Sequence, residues 1–135
     1  MPFIEWNETL SVNISEIDEQ HKKLINIINN LHDSIDKGIS FNEQLYIIQN
    51  LVDYAKTHFA TEEKYMMQFN FPEYGFHRSH HDFFRKKIDD FFKKLIDTKE
   101  NISVEILGFL KSWLINHIIG IDKKYTSFFH NNGLF

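Results

Sequence analysis

The chain has 135 residues and a formal net charge of −4, enough length for one domain with one core and no broad basic face for nucleic acid. It has no cysteine, so disulfides and thiolate metal sites are excluded, and no apolar run reads as long enough to cross a membrane. The start, Met1-Pro2-Phe3-Ile4-Glu5-Trp6, lacks the basic and apolar regions of a secretory signal, and the chain is read as cytoplasmic.

Residues 1–15 read as an extended arm anchored by Trp6, Leu10 and Val12. Ser15-Glu16-Ile17-Asp18 has the form of a capping box and opens the first helix, which runs to about Lys37, where Gly38 stops it. Its inward stripe steps by four and three: Ile17, His21, Leu24, Ile28, Leu31, Ile35. Ser40, with Glu43 three residues on, caps the second helix, which ends near Asn70 before Phe71-Pro72. Its stripe is Ile48, Leu51, Ala55, His58, Glu62, Tyr65 and Phe69. The third helix runs from after Pro72 to about Thr98, with stripe His77, His81, Phe84, Ile88, Phe91 and Leu95. Phe83, Phe84, Phe91 and Phe92 read as plain core, and Arg85-Lys86-Lys87 as a solvated face. Ser103-Val104-Glu105-Ile106 opens the fourth helix, with stripe Leu107, Leu110, Leu114, His117 and Ile121. A short helical stretch, about Lys123 to His130, closes the chain. Four helices with short connections predict an all-α, up-down-up-down antiparallel four-helix bundle. The expected organisation is a single domain over 1–135: arm 1–15, bundle 16–121 and C-terminal stretch 122–135.

Five histidines fall on these inward stripes, at least one from each helix: His21, His58, His77, His81 and His117. Two carboxylates accompany them. Glu62 stands one turn above His58. Asp122 follows His117 by five residues, about 40° past the phase of a four-residue step, so a helix end distorted at Gly120 would return it to the axis. A lone inward histidine is more often a satisfied core residue than a ligand. Five on four facing stripes, with two carboxylates, exceed what a small core can satisfy internally, and metal coordination satisfies them together. His80 falls off the stripe and reads as solvated, with His32 and His130 also at the surface.

The donor count bears on the metal. Zinc usually takes four ligands and would leave groups unpaired, whereas imidazole with carboxylate suits iron, with manganese, cobalt or zinc able to compete. Two roughly octahedral irons offer twelve positions. Five histidines, two bridging carboxylates and one bridging oxygen fill all but one, which is left open for dioxygen.

At this point the chain resembles the hemerythrins, specifically the single-domain bacteriohemerythrins. The resemblance rests on Trp6, Ile17-Asp18-Glu19-Gln20-His21, His58-Phe59-Ala60-Thr61-Glu62-Glu63, His77 with His81, and Trp113-Leu114-Ile115-Asn116-His117-Ile118 followed by Asp122-Lys123-Lys124-Tyr125. It covers nearly the whole chain. It implies a non-haem di-iron centre with an oxo or hydroxo bridge. His77, His81 and His117 would hold one iron, His21 and His58 the other, with Glu62 and Asp122 bridging and the open position on the two-histidine iron. The apolar oxygen pocket would fall on Leu24, Phe59, Trp113, Leu114 and Ile118. His80, beside His81, is the one local oddity.

The function this implies is reversible dioxygen binding for storage, delivery or sensing, not catalysis. The competing reading is a di-iron oxidase or peroxidase. Carboxylate-rich di-iron bundles show Glu-x-x-His twice, and no histidine here has a Glu three residues before it. A third reading is a signalling or scaffold bundle in which metal only stabilises the fold.

Overall fold

The computed structural model describes residues 3–135; Met1 and Pro2, which begin the arm, lie outside the described residues. Four helices form the bundle: α1 (Ser15–Asp36), α2 (Phe41–Gln68), α3 (Tyr74–Thr98) and α4 (Ser103–Trp113). No strand occurs among the described residues. The bundle is antiparallel, up-down-up-down. The α2 helix packs on α1 and α3, and α1 on α4. Between α3 and α4 large rings fill the space, with Phe84 against Trp113 at 4.8 Å between centroids.

Local chemistry explains most boundaries. Gly38, at φ 83°, takes the left-handed conformation just past α1, where a side chain would be strained. Ser40 and Glu43 form a reciprocal capping box at the start of α2, satisfying two orphan donors. The expected capping box at Ser15 does not form, because Ile14 occupies the cap position. Asp18 turns instead to the arm, accepting from Val12 N at 2.8 Å and Ser11 Oγ at 2.5 Å. The arm is thereby tied to α1, and Ile4 is bonded through both its backbone groups to the Asn29 amide, each at 2.8 Å. Leu10 and Val12 are buried anchors, while Trp6 is half-buried. The arm is not wholly extended, since Glu8–Leu10 makes a 3₁₀ turn.

The fourth helix departs most from a regular pattern. From Leu114 to Ile119 it widens into a π-helix, and from Asp122 to Tyr125 it tightens into a 3₁₀ turn before α5 (Thr126–Asn131). A π turn brings residues five apart into register, as His117 and Asp122 are spaced. Gly120 sits where a Cβ would lie 2.6 Å from the Asn116 carbonyl oxygen. Gly120→Ala should therefore cost about 1–3 kcal/mol and loosen the turn carrying Asp122; thermal melting with metal analysis checks both.

Several stripe positions differ from expectation. In α4 the buried residues are Ser103, Ile106, Leu110, Trp113 and, beyond it, Leu114, His117 and Ile118, while Leu107 and Ile121 are only half-buried. In α2, Met66 is buried while Tyr65 and Phe69 stay at the edge, because 3.6 residues per turn outpaces the assumed step. Phe83 and Phe92 are 57% and 45% exposed, so the α3 aromatic core is Phe84 and Phe91. The run Ser103–Asn131 also reaches a mean hydropathy of 1.4 over 18 residues, long and apolar enough by composition for a membrane span, contrary to the sequence reading. In the fold its Ile106, Leu110, Leu114 and Ile118 face the bundle interior, beside buried His117 and Asp122.

Two apolar clusters result. The larger includes Leu24, Ile28, Leu51, Phe59, Phe84, Leu95 and Leu110. The smaller joins Val12, Ile14, Ile17, Met66, Phe71, Tyr125 and Phe129 where the arm and C-terminal stretch close one end. Both clusters reach the buried histidines: Phe59 and Trp113 of the larger pack on His81 and His117, and Tyr125 of the smaller packs on His77.

Candidate metal centre

All seven side chains singled out from the sequence converge in the bundle interior. His21, His58, Glu62, His77, His81, His117 and Asp122 are each at most 2% exposed. They form two donor groups, His77–His81–His117 and His21–His58–Glu62–Asp122, with donor atoms within 4.8 Å of one another inside each group. The helical repeat explains the convergence: His77 and His81 sit one turn apart on α3, as His58 and Glu62 do on α2, while the π turn delivers Asp122 beside His117.

The carboxylates straddle the groups. Asp122 Oδ1 lies 2.6 Å from His77 Nε2 and 3.0 Å from His117 Nε2, while its Oδ2 lies 3.3 Å from His21 Nε2. Glu62 Oε1 lies 2.9 Å from His58 Nε2 and 3.3 Å from His81 Nε2. Close approach here does not mean satisfaction. Both Glu62 oxygens, Asp122 Oδ2, and the Nε2 atoms of His81 and His117 are buried without an aligned hydrogen bond. Such orphaned buried groups are costly, and their lone pairs are the ones a metal takes. The donor set of nitrogen and oxygen fits an iron-type cation.

The electrostatics agree. Burial pushes the Glu62 carboxyl up, as does the Asp122 charge, yet His58 and His81 overcome both and hold it below the usual range. Asp122 is likewise raised by burial but held well below its ordinary value by His117, His21 and His77. Burial lowers the His58 imidazole, and Glu62 only partly offsets this. At His81 burial also lowers, but Glu62 and Glu63 prevail and push the imidazole up to about 9. The pair of groups therefore competes for protons that metal coordination would displace.

The five expected pocket residues are all buried in the larger cluster: Leu24, Phe59, Trp113, Leu114 and Ile118. Phe59 stacks flat on His81 at 4.0 Å between centroids, and Trp113 on His117 at 4.0 Å. The rings fix the imidazole planes and cover one face of each. His80 belongs to neither donor group: half-buried, it packs on Phe76 at 4.6 Å and on the His117 ring at 5.6 Å, and it lines a cavity of about 560 Å³ with Phe83, Phe109, Trp113 and His117.

A ring of supporting residues was not anticipated from the sequence. Gln20 Oε1 accepts from His58 Nδ1 at 2.7 Å, and Gln20 Nε2 donates to Thr61 Oγ1 at 3.0 Å. Glu63 Oε2 accepts from His81 Nδ1 at 2.8 Å and from Arg85 Nη2 at 3.0 Å. Arg85 thus does not belong to a solvated face; it is half-buried, paired with Asp82 at 2.8 Å and lies over the Phe59 ring. Tyr54 stacks on His58 and Tyr125 packs tilted against His77, and burial pushes both phenols well above their ordinary value. The available signal was spacing: Gln20 adjoins His21, Glu63 adjoins Glu62, and Arg85 follows His81 by one turn.

Comparison with known proteins points to one family. Residues 12–128 match the family model described as the hemerythrin HHE cation binding domain. Bacteriohemerythrin of Stenotrophomonas maltophilia is 32% identical over 128 residues, covering 93% of this chain and 81% of that protein. Bacteriohemerythrin of Clostridium acetobutylicum is 30% identical over 124 residues, covering 89% of this chain and 96% of that protein. A solved wild-type hemerythrin superposes with a TM-score of 0.84 at 28% identity, covering 93% of this chain and 96% of that one. With the bundle, the donor cluster and the matched span in accord, the chain belongs to the hemerythrin family.

Proposed function

We propose that this chain holds two iron ions, bridged by an oxo or hydroxo group and by Glu62 and Asp122, and binds dioxygen reversibly for storage, delivery or sensing. The observation that carries the reading is the straddling of both histidine groups by both carboxylates. His77, His81 and His117 would hold one iron, and His21 and His58 the other. When bound, the pair supplies two electrons and one open coordination position for dioxygen.

The chain's own residues define what such a centre is exposed to. Leu24, Phe59, Trp113, Leu114 and Ile118 are buried and apolar, a lining that disfavours entry of anions and escape of charged products. Stacking by Phe59 and Trp113 holds His81 and His117 in fixed orientation. The Glu62 and Asp122 carboxylates, kept ionised by surrounding imidazoles, neutralise cationic charge in the interior. A histidine-rich, carboxylate-poor donor set favours the reduced metal and weakens the drive to split the O–O bond, which supports a carrier over an oxidase or peroxidase.

Iron analysis of purified protein tests this reading, with about two irons per chain expected; a single iron per chain, or none after loading under reducing conditions, would reject it. Two variants separate ligands from bystanders. His81→Ala should lose an iron, because His81 Nε2 faces Glu62, whereas His80→Ala should leave iron content unchanged. Loss of iron in the His80 variant alone would reverse the assignment.

A further inference from the structure

The two histidine groups are supported differently on their outer sides. His81, in the three-histidine group, gives its Nδ1 proton to Glu63 at 2.8 Å, and the same Glu63 oxygen is clamped by Arg85 at 3.0 Å. His58, in the other group, faces the Gln20 amide oxygen at 2.7 Å. One outer acceptor is a carboxylate; the other is neutral. An outer carboxylate makes a metal-bound imidazole a stronger donor, and loss of such a partner typically lowers metal affinity about 10–100-fold. Arg85 keeps the Glu63 carboxylate in place from α3 while Glu63 itself stands on α2, so the clamp also spans the two helices. One Nδ1 in each group, His21 in one and His117 in the other, is buried without a partner, so the groups differ in the charge of the one outer acceptor, Glu63 with its Arg85 clamp against the neutral Gln20.

We infer that Glu63, held by Arg85, is a positioning residue that makes the His77–His81–His117 position take up divalent metal before, and more tightly than, the His21–His58 position. The two positions would differ in loading order, and metal loss on chelation would begin at the His58 side. The inference rests on the two-metal reading above and extends it to how the two halves divide the work of metal retention.

The test is an anaerobic titration of metal-free protein with cobalt(II), followed by its visible absorption bands. The unmodified chain should fill in two resolved steps. Glu63→Gln keeps a hydrogen-bond acceptor but removes the charge; it should weaken the first step about 10–100-fold and leave the second unchanged. Gln20→Glu supplies the missing charge on the other side and should strengthen the second step, drawing the two together. Melting of each metal-free variant reports whether the fold is intact, and Glu63→Asp should restore part of the first step. An unchanged first step in a folded Glu63→Gln, or equal weakening of both steps, would overturn the inference while leaving the two-metal reading in place. Failure of the unmodified chain to take up two equivalents would instead reject that reading.

Discussion

Stripping metal from the protein should lower its melting temperature by roughly 10–20 °C. A ligand present at about a thousand times its dissociation constant adds about 4 kcal/mol to the folded state, and a chain of this size shifts by several degrees per kcal/mol. The physical cause is the buried layer itself. Without metal, Glu62, Asp122, His81 and His117 keep orphaned atoms in the interior, and only the close imidazole–carboxylate contacts offset their burial. The pH dependence follows. In the metal-free chain the His81 imidazole is raised to about 9, above its unfolded value of about 6.5, so its contribution to stability is full at low pH and fades as pH rises through about 9. Metal needs that imidazole neutral, so uptake at neutral pH should release a proton, and affinity should fall as pH falls. Calorimetry in two buffers of different ionisation enthalpy reads the released proton. Iron retained through pH 4, or equal melting of metal-free and metal-loaded protein, would contradict a core site.

Leu114→Ala should cost about 2–5 kcal/mol of stability and hasten irreversible oxidation of the oxygenated protein. Leu114 is 3% exposed and lies in the larger cluster beside Trp113 and Ile118. It also begins the π segment that carries His117, so the cavity opens directly next to a donor. Truncation leaves space that water can enter, and an apolar wall that excluded anions is breached. The variant should still colour in air, but the colour should decay faster than in the unmodified chain. An unchanged decay rate in a destabilised variant would show that Leu114 is core packing without a role in the pocket.

Much of the site was legible because helix geometry is periodic. His58 and Glu62, or His77 and His81, share a face by spacing alone, and no alternative fold is needed to bring them inward. The turns were legible too: Gly38 and the Ser40–Glu43 box sit where the chain stops and restarts. What resisted reading depends on departures from 3.6 residues per turn or on partners distant in sequence. Counting 3.6 residues per turn back from His117 gives Ile106, not Leu107, as the buried position in the regular part of α4, and the wider π turn that follows buries Ile118 and leaves Ile121 half-buried. Asp18 looks like a cap by position but bonds the arm, because Ser11 and Val12 reach it across the chain reversal. Arg85 looked solvated within a basic run, yet a carboxylate twenty-two residues earlier, Glu63, draws it inward. Phe83 and Phe92 show the converse: aromatic residues on a helix whose phase leaves them at the surface.

The central claim is a metal centre that binds dioxygen reversibly, and optical cycling tests it most directly. Iron-loaded protein is reduced under argon, opened to air, and returned to argon, with the visible spectrum followed throughout. The account predicts a nearly colourless reduced form that colours in air and bleaches again under argon through several cycles. A single irreversible oxidation in the unmodified protein, with further change only when a reductant and a substrate are supplied, would contradict it and favour a di-iron enzyme built on the same seven side chains.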